Sequence, residues 1–139
     1  MAVVEVKASA DKQFRQEISA GAHHLAADVP KEIGGEDTAP TPHELLQASL
    51  GACTAITVQM YAKRKGWDLK AVNVKVQEEQ IENPDAPGGK LTKFVRHIEL
   101  SGPLNQEQID GLRAIADKCP IHKILQGPKQ IDTEVSHHA

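Results

Sequence analysis

Two cysteines offer the most distinctive chemistry in this chain. Cys53 and Cys119 are its only cysteines among 139 residues, and they stand 66 residues apart. In a reducing compartment a free thiol is either a small buried hydrophobe or a reactive group, since permanent disulfides are rare there. No C-x-x-C pair is present, so the thioredoxin pattern is absent. If the fold brings the two thiols together, they form a candidate redox dithiol in which one thiol resolves a sulfenic acid on the other.

The residues around each cysteine favour Cys119 as the more polarised thiol. Cys53 lies in the apolar segment LGACTAIT, and apolar burial raises a thiol pKa. Cys119 precedes Pro120, which fits the first position of a further helical turn, IHKIL, so its sulfur is expected near a helix N-terminus. The alternative is that both cysteines only fill apolar helix faces. From the residues alone, both interpretations stay open.

Arg15 and Glu44 are the other candidate site residues. Arg15 is expected in a strand, where a lone arginine is usually solvated or ion-paired. Glu44 follows Thr41 by three positions, the spacing of a helix capping box. Nine positions separate Glu44 from Cys53, about 13 Å along a helix and half a turn around it, so Glu44 cannot contact Cys53 of its own helix. A role at that thiol would need another subunit or an intermediary such as an arginine.

Metal and phosphate sites are poorly supported. Cys119-x-x-His122 has no second ligand pair, and His23, His24 and His43 do not supply one at a zinc spacing. The Gly34-Gly35 pair lacks the Lys and Ser/Thr of a phosphate-binding loop. No metal and no cofactor is therefore expected.

Composition limits the classes of partner. Aromatic residues make up 3% of the chain, its formal net charge is -3 and its pI is about 6.1, which argues against nucleic-acid and membrane-surface binding. Neither a signal-peptide pattern nor an apolar run of transmembrane length is seen, so we expect a cytoplasmic protein. At 15.1 kDa, residues 1–139 are expected to form a single domain.

Hydrophobic periodicity predicts an α+β fold with an antiparallel sheet and a long central helix that contains Cys53. That helix starts at Pro42 and ends at Lys65, before Gly66. It is apolar on nearly every side, and so short a chain cannot cover it alone, so we expect a homodimer. The other predictions are a non-regular loop at 28–42, a second helix at 104–119, one further turn at 121–125, and strands at 3–9, 13–20, 23–28, 72–76, 90–100 and 131–135.

Three segments in this order resemble the OsmC/Ohr family (osmotically inducible protein C and organic hydroperoxide resistance proteins), in its OsmC-like branch. They are FRQEISAGAHHLAADVP, GGEDTAPTPHELLQASLGACTAITVQMYAKRKGW and CPIHKIL. The resemblance implies an intertwined homodimer of one OsmC-like domain, 1–139, with long central helices wrapped by two sheets. It also implies thiol peroxidase activity on organic hydroperoxides, a role in oxidative stress defence.

By this resemblance Cys53 attacks the peroxide and Cys119 resolves the sulfenic acid as a disulfide. A dithiol reductant, a lipoyl protein or a thioredoxin-like protein, would restore both thiols, and Arg15 would stabilise the thiolate. The family's catalytic glutamate stands ten positions before the first cysteine; here that position is His43, with Glu44 one later. This departure motivates an alternative, a non-enzymatic dimer that senses redox state or binds a small ligand.

Overall fold

The computed structural model describes residues 2–139 and confirms an α+β fold with antiparallel sheets. It has three α-helices, because the predicted further turn extends to a helix of seven residues. Within these residues, no helix is both long enough and apolar enough to cross a membrane. The chain forms two compact units, one of residues up to Ser49 with Val76–Val95, the other of Leu50–Lys75 with Arg96–Ala139. The elements are β1 (Val4–Ala8), β2 (Gln16–Ala20), β3 (His23–Ala27), a 3-10 turn (Lys31–Ile33), α1 (Pro42–Lys65), β4 (Ala71–Glu82), β5 (Lys90–Ser101), α2 (Gln106–Ala116) and α3 (Pro120–Gln126).

The first unit contains the predicted antiparallel meander. Ile18 of β2 pairs with Val6 of β1 on one side and with Leu25 of β3 on the other. A tight turn joins β2 to β3, and Gly21 adopts the positive φ of +62° that this turn requires. The loop after β3 is not wholly irregular as predicted, because Lys31–Ile33 forms a 3-10 turn that ends at Gly34 with φ +97°.

Helix α1 has the predicted bounds because its ends are encoded locally. The Thr41 hydroxyl accepts a hydrogen bond from the Glu44 backbone N–H at 3.1 Å, and the Glu44 carboxylate accepts one from the Thr41 N–H at 2.9 Å. This reciprocal pair is the expected capping box. Gly66, with φ +72°, follows the last residue of the helix.

Only one stripe of α1 is buried by its own chain, whereas the apolar pattern predicted burial all round. The stripe repeats every four residues, so it covers one helix face. Ile56 and Met60 lie outside it and are 51% and 69% exposed. The core of the second unit is formed by Val58, Ala62, Leu112 and Ala116.

The second sheet is the β4–β5 hairpin. Strand β4 spans Ala71–Glu82 and is longer than the strand predicted at 72–76. Its turn is closed by a hydrogen bond from the Asn83 N–H to the Gly89 carbonyl at 3.0 Å. The predicted closing strand at 131–135 is wrong. Ile131 and Val135 are 89% and 88% exposed in a segment without regular structure, because alternation by itself does not make a strand, which forms only by hydrogen bonding to a neighbouring strand.

Candidate active site

The two cysteines lie on different elements of the second unit. Cys53 is in the middle of α1 and is half-buried, while Cys119 is the residue before α3 and is completely buried. Pro120 takes the first position of α3, as predicted, and this placement fixes Cys119 at the helix entry. Both thiols are free.

The fold brings the two thiols together. The two side chains interact directly: Cys119 raises the pKa of the Cys53 thiol, and Cys53 lowers the pKa of the Cys119 thiol. The backbone N–H groups of Ile121 and His122 also lie near Cys119, although without the geometry of a regular side-chain cap. Two side chains 66 residues apart in sequence are thus brought together by the fold.

The surroundings shift the pKa values of the two thiols in opposite directions. Burial raises the pKa of Cys53, and its hydrogen bond to Cys119 raises that pKa further. Burial also disfavours the Cys119 thiolate, but hydrogen bonds from Cys53, from the backbone N–H groups of His122 and Ile121 and from Thr54 outweigh it, so the pKa of Cys119 falls below its ordinary value. Cys119 is the more acidic thiol, in agreement with its local sequence.

Two residues of this site were missed in the sequence. Thr54 is completely buried beside Cys53, and its hydroxyl is within hydrogen-bonding reach of the Cys119 sulfur. The Arg96 side chain, only 11% exposed, donates to the Thr54 hydroxyl oxygen at 3.0 Å. The sequence pattern could have indicated Arg96. In β5 it alternates with the apolar residues Phe94 and Ile98 on one face of the strand, and a charged side chain on such a face needs a buried partner.

Arg15 belongs to the first unit and lies one residue before β2, not within the strand as predicted. Its Nε atom donates to the Glu17 carboxylate at 2.8 Å and its Nη1 atom to the Thr38 carbonyl at 3.1 Å. The hydrogen bond to Glu17 raises the pKa of Arg15 and lowers that of Glu17. Arg15 therefore connects the start of β2 to the loop that precedes α1.

A buried carboxylate organises that same loop. Asp28 is almost fully inaccessible and accepts hydrogen bonds from the Thr38 hydroxyl, from the Thr38 N–H at 3.0 Å and from the Val29 N–H at 2.8 Å. The hydrogen bonds from Thr38 lower the pKa of Asp28. Asp28 and Arg15 thus hold Thr38 through different atoms.

Glu44 and His43 have partners within the first unit. Glu44 completes the capping box with Thr41. The His43 Nδ1 atom lies 2.7 Å from the Glu78 carboxylate, whose other oxygen is buried without a hydrogen-bond partner. Of the four predicted site residues, the structure brings Cys53 and Cys119 together, and it gives Arg15 and Glu44 local partners in the first unit.

Comparison with protein families decides the identity. The family model described as OsmC-like protein matches residues 34–134, more than half of the chain. The chain belongs to the OsmC-like protein family. No protein with a curated description matches this OsmC-like chain significantly.

Solved structures share the fold of this OsmC-like protein. The OsmC-like protein of Mycoplasma pneumoniae superposes with a TM-score of 0.73 at 21% identity, covering 91% of this chain and 88% of its own. The organic hydroperoxide resistance protein OsmC of Legionella pneumophila gives 0.66 at 23% identity, covering 91% and 90%. OhrB of Bacillus subtilis, an organic hydroperoxide resistance protein, gives 0.62 at 19% identity, covering 91% of both chains.

Other possible sites in the OsmC-like protein do not involve the cysteines. Among residues 2–139, no group of three His, Cys, Asp or Glu side chains is arranged to hold a metal ion. A half-open pocket of about 270 Å³ in the second unit is lined by Gln59, Lys63 and Trp67, among others. Neither thiol lines this pocket, so the Cys53–Cys119 pair is the better candidate for chemistry.

Proposed function

We propose that this OsmC-like protein is a thiol-dependent peroxidase that reduces organic hydroperoxides through a Cys53/Cys119 dithiol–disulfide cycle. The close approach of the two thiols carries the proposal, because a peroxidatic thiol needs a second thiol close by to resolve its sulfenic acid. Family membership supports it, as do fold neighbours that are organic hydroperoxide resistance proteins.

The first half of the cycle uses Cys53 as the nucleophile. Cys53 is accessible and Cys119 is not, so a peroxide reaches the Cys53 sulfur first. The Cys119 thiolate accepts the Cys53 proton, and the Cys53 thiolate then attacks the terminal peroxide oxygen. The O–O bond breaks, Cys53 becomes a sulfenic acid, and the alkoxide takes a proton and leaves as an alcohol.

The second half of the cycle uses Cys119. Its thiol, deprotonated again, attacks the Cys53 sulfur and forms the disulfide, and the sulfenic oxygen leaves with two protons as water. The sum is one hydroperoxide and two thiols converted to one alcohol, one water and one disulfide. An external dithiol, a lipoyl protein or a thioredoxin-like protein, restores both thiols by exchange.

The remaining parts of the proposal concern the assembly. Residues 1–139 act as one OsmC-like domain in a cytoplasmic homodimer. The exposed face of α1 around Ile56 and Met60 supports the dimer, because apolar side chains at 51% and 69% exposure are suited to a protein interface. In the dimer Arg15 stabilises the thiolate, and Glu44 acts on the site through Arg15 or from the other subunit.

Peroxide consumption by the reduced protein tests the function. Wild type, supplied with cumene hydroperoxide and a dithiol, is expected to consume peroxide over many turnovers, whereas Cys53→Ser falls to the uncatalysed background. Cys119→Ser is expected to react once and to keep a sulfenic acid that a dimedone adduct reveals by mass spectrometry. An exposed threonine variant, Thr92→Ser, is the matched control for an altered side chain. Equal rates for wild type and Cys53→Ser would rule out the peroxidase.

One observation favours a second candidate, a redox sensor. His43 occupies the family's glutamate position and is paired with Glu78, while Glu44 is held by Thr41. A sensor forms the Cys53–Cys119 disulfide with one equivalent of peroxide but shows negligible steady-state turnover. Thiols that stay unmodified by peroxide at neutral pH would contradict both candidates.

A further inference from the structure

A buried hydrogen-bond chain leads from a cation to the resolving cysteine. Arg96 is anchored at the end of α2, where Nη1 donates to the Ala116 carbonyl at 3.1 Å and Nη2 to the Asp117 carboxylate at 2.8 Å. The same Nη1 atom donates to the Thr54 hydroxyl oxygen at 3.0 Å. All of these residues belong to the second unit, as do both thiols.

The Thr54 hydroxyl has one proton and two lone pairs. Arg96 can only donate, so it occupies a lone pair and leaves the proton for an acceptor. Two acceptors are within reach: the Leu50 carbonyl, to which the hydroxyl donates at 2.7 Å, and the Cys119 sulfur. The single Thr54 hydroxyl proton cannot form a full hydrogen bond to both acceptors at once. A thiolate is the stronger acceptor, since hydrogen bonds to ionised groups are stronger than neutral ones.

We propose that Arg96 is a positioning residue that acts through Thr54. It orients and polarises the Thr54 hydroxyl, so that the hydroxyl proton turns from the Leu50 carbonyl to the Cys119 thiolate whenever that thiolate forms. Donation from a guanidinium strengthens the hydroxyl as a donor, because hydrogen bonds in a chain polarise one another. This inference deepens the proposed function, on which its chemical meaning rests: the relay raises the fraction of Cys119 that is present as thiolate, the form that attacks the Cys53 sulfenic acid.

The charged and titratable groups near Cys119 come from α1, from β5 and from the chain on either side of it, where Lys118 precedes Cys119 and His122 and Lys123 follow it. Cys53 faces it from α1, and Arg96 lies behind Thr54 on β5. Asp117, between α2 and α3, is 54% exposed and already paired with Arg96. The α3 segment contributes backbone N–H groups of Ile121 and His122. The neutral Thr54 hydroxyl is thus the link between the cation and the sulfur.

Thiolate absorbance at 240 nm, followed against pH in the reduced protein without peroxide, tests the relay. Thr54→Val keeps the side-chain shape but removes the hydroxyl, and is expected to raise the first thiol midpoint by about one pH unit, about a tenfold loss of thiolate below the midpoint. Arg96→Met is expected to raise it by a smaller amount. Thr54→Ser, which keeps the hydroxyl, and Arg113→Met, which removes an exposed arginine of α2, are expected to match wild type.

The double variant Thr54→Val/Arg96→Met separates the relay from a direct effect of charge. Because Arg96 acts through Thr54, the double variant is expected to titrate like Thr54→Val alone. Additive shifts, or an Arg96→Met midpoint equal to wild type, would overturn the inference. Far-ultraviolet circular dichroism verifies that each variant is folded. Since no peroxide is used, a protein that shows these shifts but no turnover would refute the peroxidase and leave the relay intact.

Discussion

At the scale of single residues, Asp28 is the buried charge whose surroundings are most fully defined. Its carboxylate accepts hydrogen bonds from two groups of Thr38 and from the Val29 N–H. Thr38 in turn offers its carbonyl to Arg15. A carboxylate stabilised by donors in this way favours its charged form, which explains the lowered pKa of Asp28. The loop that meets Arg15 therefore depends on an ionised Asp28.

Replacing this carboxylate is expected to destabilise the protein in a pH-dependent way. Asp28→Asn should lower the thermal midpoint at pH 7 by several degrees, because the amide group cannot accept all three hydrogen bonds. A lowered folded-state pKa contributes stability that is complete above the unfolded value of about 3.9 and is lost as pH falls through the folded value. The difference between wild type and Asp28→Asn should thus shrink below about pH 4.

Differential scanning calorimetry between pH 3 and pH 8 measures this difference. Asp11→Asn, at an exposed position in the turn before β2, is the matched control and should follow wild type throughout. A difference for Asp28→Asn that stays constant down to pH 3 would mean that ionisation of Asp28 is not what stabilises the loop.

At the scale of elements, α1 shows how a helix can be apolar all round and yet only partly buried by its own chain. The buried stripe of Leu50, Thr54 and Val58 packs inside the second unit. Ile56 and Met60 point elsewhere and stay accessible. An accessible apolar face on a long helix is costly in water, so we expect a second copy of the chain to cover it.

A charge on this face is expected to dissociate the dimer. Ile56→Lys would bury an unpaired ammonium at the interface, which should weaken self-association at least about 100-fold. Sedimentation equilibrium over micromolar concentrations measures the constant. Ile131→Lys makes the same change at an 89% exposed position outside all helices and strands, and should leave association unchanged. An Ile56→Lys protein as dimeric as wild type would exclude this face from the interface.

At the scale of the whole molecule, the proposed disulfide would tie the middle of α1 to the start of α3. The two cysteines enclose a long stretch of chain that includes β4, β5 and α2. A crosslink that closes a loop of this length restricts the unfolded chain strongly and therefore favours the folded state.

Oxidation is accordingly expected to stabilise the protein against urea. The loop-closure model gives about 4 kcal/mol as the gain for a loop of this size. Comparing urea midpoints of oxidised and reduced wild type measures it, and Cys119→Ser should show no change with oxidant. Identical midpoints for both wild-type forms, with the disulfide verified by mass spectrometry, would contradict a crosslink that is compatible with the native fold.

The sequence predicted those features whose causes lie within a few residues. The sequence correctly predicted the Thr41–Glu44 capping box, the end of α1 before Gly66 and the position of Pro120 in α3. Capping, turn chemistry and helix periodicity depend on neighbours within about one turn. The wrong strand at 131–135 shows the limit of this information, because pairing depends on a distant sheet edge.

Only the tertiary structure decided which distant groups meet. Sequence could name Cys53 and Cys119 as candidates and could rank Cys119 as the more polarised, since both judgements use adjacent residues. Their contact, and the approach of Arg96 to Thr54, depend on how α1, β5 and the α2–α3 turn pack. Packing brings together residues that are far apart in sequence. Because such contacts depend on burial and shape, they have no characteristic sequence spacing from which they could be predicted.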